Sequence, residues 1–272
     1  IIEALEKKVP LEFINLYMEP DGTFPNGGPN PLLPEKREDT AKAVLENQAD
    51  LGIAWDGDFD RCFFFDHKGR FIDSYYIVGF LAEIFIQSNP GATIIYDPRV
   101  IWNTEEIVKK FDGTPIECRG GHAFMKESMR KYGAIYGGEA SGHHFFKDFH
   151  YCDSGMLPWL YVVLELSKRG CTLADVVDGA MEKYPISGEI NRRVDDAGKV
   201  IAKVEEIYTP DAVSVNHIDG LSIAYPDWRF SLRMSNTEPL TRLNVESRGN
   251  RKLLDEKVEE LLGYMGGEPD NH

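Results

Sequence analysis

The sequence has no CxxC pair, no Walker-type glycine–lysine loop, no GxGxxG, no HExxH and no GxSxG. The usual anchors for nucleotide-binding, zinc-peptidase and serine-hydrolase readings are therefore missing. Its longest strictly apolar run, Met156 to Leu164, is far too short to span a bilayer. The opening Ile1-Ile2-Glu3 shows no basic stretch ahead of an apolar core, so it does not read as a secretory leader. Positive charge is in deficit: 30 Lys and Arg against 45 Asp and Glu give a formal charge of −15. That balance disfavours nucleic-acid binding and would be repelled by an anionic membrane surface. Any phosphate site must then be basic locally. The four cysteines, Cys62, Cys118, Cys152 and Cys171, are widely and irregularly spaced. They read as free thiols of a cytoplasmic protein rather than a disulfide framework.

What is present is the composition of a folded protein. With 42% hydrophobic and 28% charged residues among 272, the chain fits a soluble globular protein of about two domains. Ile1 to Lys8 reads as the last turns of a helix begun earlier, and Leu11–Tyr17 as a short strand. Five prolines between Met18 and Pro34 stiffen a long loop. A helix over Glu35–Asn47 and strands over Ala49–Trp55 and Cys62–Asp66 follow. From Ser74 helix and strand alternate: helices at Tyr75–Gln87, Trp102–Phe111 and His122–Tyr132, strands at Thr93–Asp97, Thr114–Cys118 and Ala134–Tyr136. Helices at Asp153–Lys168 and Leu173–Tyr184 close this stretch. The alternation predicts α/β layers with at least partly parallel strands. Past Pro185 the grammar changes to α+β with an antiparallel sheet. Strands are expected at Ser187–Val194, Val213–Ile218, Leu221–Tyr225, Trp228–Arg233 and Leu243–Ser247, with helices at Ala197–Tyr208 and Lys252–Tyr264. Asp219-Gly220 between two apolar runs signals a hairpin.

Four clusters carry chemistry. Asp56-Gly57-Asp58-Phe59-Asp60-Arg61 alternates three carboxylates over five residues. Two charges ~4 Å apart repel by about 4 kcal/mol at an effective dielectric of ~20, so converging carboxylates call for a cation. Oxygen ligands suit Mg²⁺ or Ca²⁺. A calcium-binding interaction module of the EF-hand kind is excluded, because its sixth and twelfth positions hold Arg61 and His67. By itself the loop fits a metal site and a splayed, solvated loop equally well. Gly137-Gly138-Glu139-Ala140-Ser141-Gly142-His143-His144 could aim Glu139 and Ser141 at a polyol, though alone it reads more simply as a glycine-rich turn. In Arg233–Arg242, two arginines bracket Ser235, Asn236 and Thr237, the donor set of a phosphate site, or equally a capped turn. In Arg119-Gly120-Gly121-His122, followed by Lys126 one turn on, His122 and Lys126 could face an anion at a helix N-terminus. By itself that piece reads more simply as a satisfied histidine and a solvated lysine.

In this order and spacing the four motifs resemble the α-D-phosphohexomutase superfamily. A closer resemblance to its bacterial phosphomannomutases, of the capsule and GDP-mannose pathway, rests on several further segments: Pro20–Gly27, Asn30–Pro34, Trp55–Cys62, Tyr151–Met156, Asp227–Phe230 and Arg242–Gly249. The resemblance covers essentially the whole chain. It implies three units: 1–73 as the C-terminal part of the family's second domain, 74–185 as its third and 186–272 as its fourth. It implies interconversion of mannose 6-phosphate and mannose 1-phosphate through a phosphoserine and a hexose bisphosphate. Asp56, Asp58 and Asp60 would hold Mg²⁺. Arg61 and His122 would act in catalysis. Glu139, Ser141, His143, Arg99 and Lys126 would meet the sugar phosphate, and Arg233, Ser235, Asn236, Thr237 and Arg242 would clamp its unreactive phosphate. The family's Ser-His segment, which carries the phosphoserine, does not occur in this sequence; a missing N-terminal domain is expected to supply it, and the chain reads as a fragment inactive by itself. Ala140 stands where many relatives carry Met. Phosphoglucomutase or dual activity, and an inactive sugar-phosphate-binding fragment, are the alternatives.

Overall fold

The computed structural model describes residues 2–99, 101–235 and 240–270. Three sheets follow one another along the chain. After helices α1 (Ile2–Leu5) and α2 (Glu38–Asn47), strands β1 (Leu51–Trp55), β2 (Cys62–Asp66) and β3 (Phe71–Ile72) form an antiparallel sheet. All of β2 is buried, because Phe63, Phe64 and Phe65 have hydrophobic neighbours on both faces of the sheet. Burying a Phe side chain is worth about 1.5–3 kcal/mol, so these three anchor the strand that follows the aspartate loop.

The middle unit holds α3 (Ser74–Ser88), β4 (Thr93–Tyr96), α4 (Trp102–Lys110), β5 (Thr114–Glu117), α5 (His122–Tyr132) and β6 (Tyr136–Gly138). β7 (His144–Phe146), β8 (Cys152–Asp153), α6 (Leu157–Arg169) and α7 (Leu173–Lys183) complete it. Its sheet runs β5-β4-β6-β7-β8, with β5, β4 and β6 parallel and the rest antiparallel. α3 is almost wholly buried, and Asp73 caps it by accepting the Tyr75 N–H. Its apolar circumference makes it the centre of the unit rather than a surface helix.

The last unit holds β9 (Ile190–Arg193), α8 (Ala197–Tyr208), β10 (Ser214–Asn216), β11 (Leu221–Ala224), β12 (Trp228–Met234), β13 (Leu240–Ser247), α9 (Arg251–Met265) and β14 (Glu268–Pro269). Its sheet, ordered β10-β11-β12-β13-β9-β14, is antiparallel throughout. The expected hairpin is there, and Gly220 takes a positive φ of 78° in its turn. The α/β fold with a C-terminal antiparallel sheet is thus as expected. Parallel pairing, among the described residues, is confined to the middle sheet.

Three local expectations fail. Leu11–Tyr17 is not a strand; Leu11 and Phe13 pack on the core, Phe13 edge-on to Trp159, but no described strand pairs with the segment. The strand expected at Ala134–Tyr136 runs instead from Tyr136 through Gly137 and Gly138, because its register with Ile94–Tyr96 overrides the low strand propensity of glycine. A Cβ at Gly138 would stand 2.7 Å from the Val78 methyls, so the close packing of α3 requires glycine there. The helix expected from Asp153 starts at Leu157, and the short strands β7 and β8 precede it. Among the described residues no helix is long and apolar enough to cross a membrane, and the four cysteines are free.

Candidate functional site

The aspartate loop joins β1 to β2. Asp56 is 5% exposed and accepts from the Arg61 N–H at 3.1 Å and from Arg61 Nε at 2.6 Å. Burial pushes its carboxyl up, but the Arg61 bonds and charge outweigh that and hold it below its ordinary value. Asp60 goes the other way. Burial raises it, and the charges of Asp56 and Asp58 add to that beyond what His143 takes off. Its Oδ1 is buried without a hydrogen-bond partner. Ligand atoms of Asp56, Asp58 and Asp60 lie within 4.8 Å of one another. Phe59, at φ 63° and stacked on Trp55, turns the loop tightly enough to bring them together. A carboxylate raised by burial and by its like-charged neighbours, with one oxygen unpaired, fits a divalent cation bound by oxygen.

The glycine-rich loop leans directly on this one. Cys62 N–H donates to the Gly142 carbonyl, and Arg61 bridges to His143. His143 Nε2 lies 3.4 Å from Asp60 Oδ2, while its Nδ1 lies 3.1 Å from Glu139 Oε2 and 2.9 Å from Ser141 Oγ. Glu139 is 2% exposed, and its Oε1 accepts the Gly121 N–H at 2.5 Å. Burial raises its carboxyl, yet His143 and that N–H hold it low. His144, next in sequence, points the other way into the core against the Tyr136 hydroxyl, since strand neighbours face opposite sides. Burial drops it to about 3, so it stays neutral at physiological pH.

The expectation of an anion site at the start of α5 fails. His122 lies between two carboxylates, Nε2 3.8 Å from Asp60 and Nδ1 3.4 Å from Asp153. Lys126 Nζ is bound to Asp153 Oδ1 at 2.7 Å. The Gly121 N–H that would greet an anion is already given to Glu139.

Arg233 and Arg242 are cross-strand partners on β12 and β13. Like charges directly opposite repel, and here one carboxylate answers both. Glu189, next to β9, sits 3.1 Å from Arg233 Nη2 and 3.0 Å from Arg242 Nη1. It also lies 3.3 Å from Arg99 Nη1 of the middle unit. Burial alone would raise Glu189, but three guanidinium groups lower it to about 2. Arg99 is itself held by buried Asp97, through Nε at 3.1 Å and Nη2 at 2.6 Å. Asp97 and Glu189 outweigh the burial of Arg99 and hold its guanidinium firmly charged. Ser235 follows β12; Asn236 and Thr237 lie outside the described residues.

A continuous run of contacts joins the clusters. Asp60 meets His143, and His143 meets Glu139. Asp97 links the glycine-rich loop to Arg99, accepting the Ala140 N–H at 2.8 Å and Arg99 Nη2 at 2.6 Å, and Gly120 lies between Glu139 and Arg99. Arg99 meets Glu189, and Glu189 meets Arg233 and Arg242. Asp97 and Glu139 both follow carboxyl ends of adjacent parallel strands, β4 and β6, where open α/β sheets place their ligands. Residue patterns missed Asp97 and Glu189. The first had a legible signal, a charged residue ending a buried strand. Glu189 had none, since only pairing of β9 with β13 brings it to Arg242.

Three sequence models of one family match the chain in succession: phosphoglucomutase/phosphomannomutase alpha/beta/alpha domain II over residues 1–69, alpha/beta/alpha domain III over 73–184, and the C-terminal domain over 189–263. The chain belongs to the phosphoglucomutase/phosphomannomutase family. A phosphomannomutase of Salmonella montevideo is 55% identical over 270 residues, 97% of this chain and 59% of its own length. The phosphohexose mutases of Xanthomonas campestris pv. campestris are 52% identical over 267 residues, 98% of this chain and 60% of theirs. The chain thus spans about 60% of the curated relatives it matches. Among solved structures, a phosphoglucomutase/phosphomannomutase family protein from Burkholderia thailandensis superposes with a TM-score of 0.79 at 30% identity, covering 94% of this chain and 56% of that one. Parafusin from Paramecium shares the fold at 16% identity and a TM-score of 0.70.

Proposed function

We propose that this chain carries the metal, sugar and phosphate sites of a phosphomannomutase that interconverts mannose 6-phosphate and mannose 1-phosphate. The phosphoserine carrier would come from a further domain outside these 272 residues. The observation that carries the reading is the run of contacts from Asp60 through His143 to Glu139 of the glycine-rich loop, from Ala140 of that loop through Asp97 to Arg99, and from Arg99 through Glu189 to Arg233 and Arg242. That run supports reading oxygen ligands for a cation, polyol-binding groups and a guanidinium pair as parts of one site shared by 1–73, 74–185 and 186–272. Curated relatives at 52–55% identity are named as phosphomannomutases or phosphohexose mutases.

Asp56, Asp58 and Asp60 would hold Mg²⁺, which would supply charge neutralisation at the transferring phosphoryl group. Arg61, fixed on Asp56, places a second positive charge beside the same loop. His122 and His143 flank Asp60, within reach of a proton leaving or reaching a sugar hydroxyl. Ser141 and Glu139, which meet at the His143 ring, would grip sugar hydroxyls and tolerate both orientations of the sugar. Lys126 stays with Asp153. Arg233, Arg242, Ser235, Asn236 and Thr237 take the phosphate that does not react, with Arg99 alongside. An arginine fork suits phosphate better than a lysine point charge.

Mannose 1-phosphate titrated into the labelled chain tests this by NMR. Shifts should cluster at Arg99, Glu189 and residues 233–242. Shifts confined to Glu139–His143, or none, would remove the phosphate clamp. A coupled assay with a hexose bisphosphate should show no turnover; turnover above a heat-inactivated control would refute the external carrier.

A further inference from the structure

Beside the aspartate loop lies a second group of possible ligands. Asp60, His122, His143 and Asp153 each present an atom, and all four lie within 4.8 Å of one another. Only Asp60 belongs to both groups. We propose that these four residues form a second metal site, selective for a borderline cation such as Zn²⁺ over Mg²⁺.

The donor set argues first. Two imidazoles and two carboxylates are a zinc-type set, whereas Mg²⁺ takes oxygen and keeps several waters. Two carboxylates with neutral imidazoles carry −2, and the group stays net negative toward a cation when Lys126 on Asp153 is counted.

The spacing argues second. Two donors at ~2.05 Å from a tetrahedral centre stand about 3.3–3.4 Å apart. His143 Nε2 to Asp60 Oδ2 is 3.4 Å, and His122 Nδ1 to Asp153 Oδ2 is 3.4 Å. Both exceed the usual length of a direct charge-assisted hydrogen bond.

The surroundings argue third. A metal-binding histidine characteristically gives its other ring nitrogen to a carboxylate, which fixes its tautomer and orientation. His143 Nδ1 faces Glu139 Oε2 at 3.1 Å, and Glu139 is itself buried and tied to the Gly121 N–H. Nε2 is thereby left to face the group. Lys126 binds Asp153 through Oδ1 and leaves Oδ2 toward His122. Asp60 Oδ1, buried and without a partner, remains for the aspartate loop while Oδ2 faces the histidines. An ion here would immobilise Asp60 and both imidazoles, and so inhibit phosphoryl transfer. Only that consequence rests on the function proposed above.

Co²⁺, a coloured stand-in for Zn²⁺, tests the site on the whole 272-residue chain in millimolar Mg²⁺. The expected result is the intense visible absorption of four-coordinate Co²⁺, saturating at one equivalent and bleached by one equivalent of Zn²⁺. His122→Gln and Asp153→Asn should each weaken Co²⁺ binding at least about tenfold. Asp58→Asn should leave it unchanged. His122 is 42% exposed, so its substitution keeps the fold, which circular dichroism verifies. A weak octahedral spectrum, or a band lost in Asp58→Asn and kept in His122→Gln, overturns the proposal by placing the ion in the aspartate loop. Mg²⁺ calorimetry on the same samples reads that loop separately. No Mg²⁺ binding with an intact Co²⁺ band would sink the loop assignment and leave this one standing.

Discussion

The aspartate-loop cluster and the arginine cluster solve opposite electrostatic problems. Around the aspartate loop, carboxylates are in excess, and Arg61, Lys126 and two histidines only partly offset them. Around β12 and β13, Glu189 answers Arg233 and Arg242 together and shares Arg99 with Asp97. The first arrangement leaves Asp60 with an unpaired oxygen and a raised carboxyl, poised for a cation. The second fills its own centre with an anion and so keeps the arginines aligned. In a protein at −15, positive charge is gathered in one place and held there by a resident carboxylate. On the proposed reading of this pair as a phosphate clamp, the site is pre-organised by a competitor of its own ligand.

Asp97 ties the two clusters together, so its loss should have the largest effect. It is fully buried and accepts from Arg99 and from the Ala140 N–H of the glycine-rich loop. Asp97→Ala strands a buried guanidinium and should cost about 3–5 kcal/mol in urea unfolding. A loss below ~1 kcal/mol would mean the two clusters are not coupled through it.

Acid should separate the clusters next. Glu189 is depressed from 4.5 to about 2 on folding, so its contribution is present above the unfolded value. It is lost as pH falls from about 4.5 to about 2, for at most about 3 kcal/mol. Stability measured across that window should fall in the wild-type chain and fall less in Glu189→Gln. Parallel curves would show that Glu189 is not clamped by the three arginines.

The same substitution should sharpen the competitor idea at neutral pH. With the resident anion gone, the arginines are free for inorganic phosphate, and affinity should rise several-fold, or about 1 kcal/mol. Weaker phosphate binding by calorimetry would recast Glu189 as a prop rather than a competitor. The smallest effect is expected at Ser141, which touches only the His143 ring through its side chain. Ser141→Ala should shift the unfolding midpoint by less than ~0.5 kcal/mol while changing the His143 ring resonances.

Much of this was legible in the residues. β2, α5 and α8 fall where local periodicity places them, because their apolar spacing matches the faces they bury. The aspartate loop and the two arginines were likewise visible as charge patterns. Leu11–Tyr17 was misread because an apolar alternation makes a strand only when a partner strand stands beside it. The glycines of β6 were misread because α3 packs too close for a Cβ, a demand made by a helix sixty residues earlier.

The sequence by itself determined the order of the units, the α/β-to-antiparallel change, and the types of chemical group on offer. Those follow from periodicity and turn chemistry, which act over a few residues. Only the tertiary structure decided which groups meet. It gave the Gly121 N–H to Glu139 rather than to an anion, set His122 between two carboxylates, and put Glu189 among three arginines. Charges act through space and burial multiplies their strength, so their partners are fixed by packing and not by neighbours in the chain.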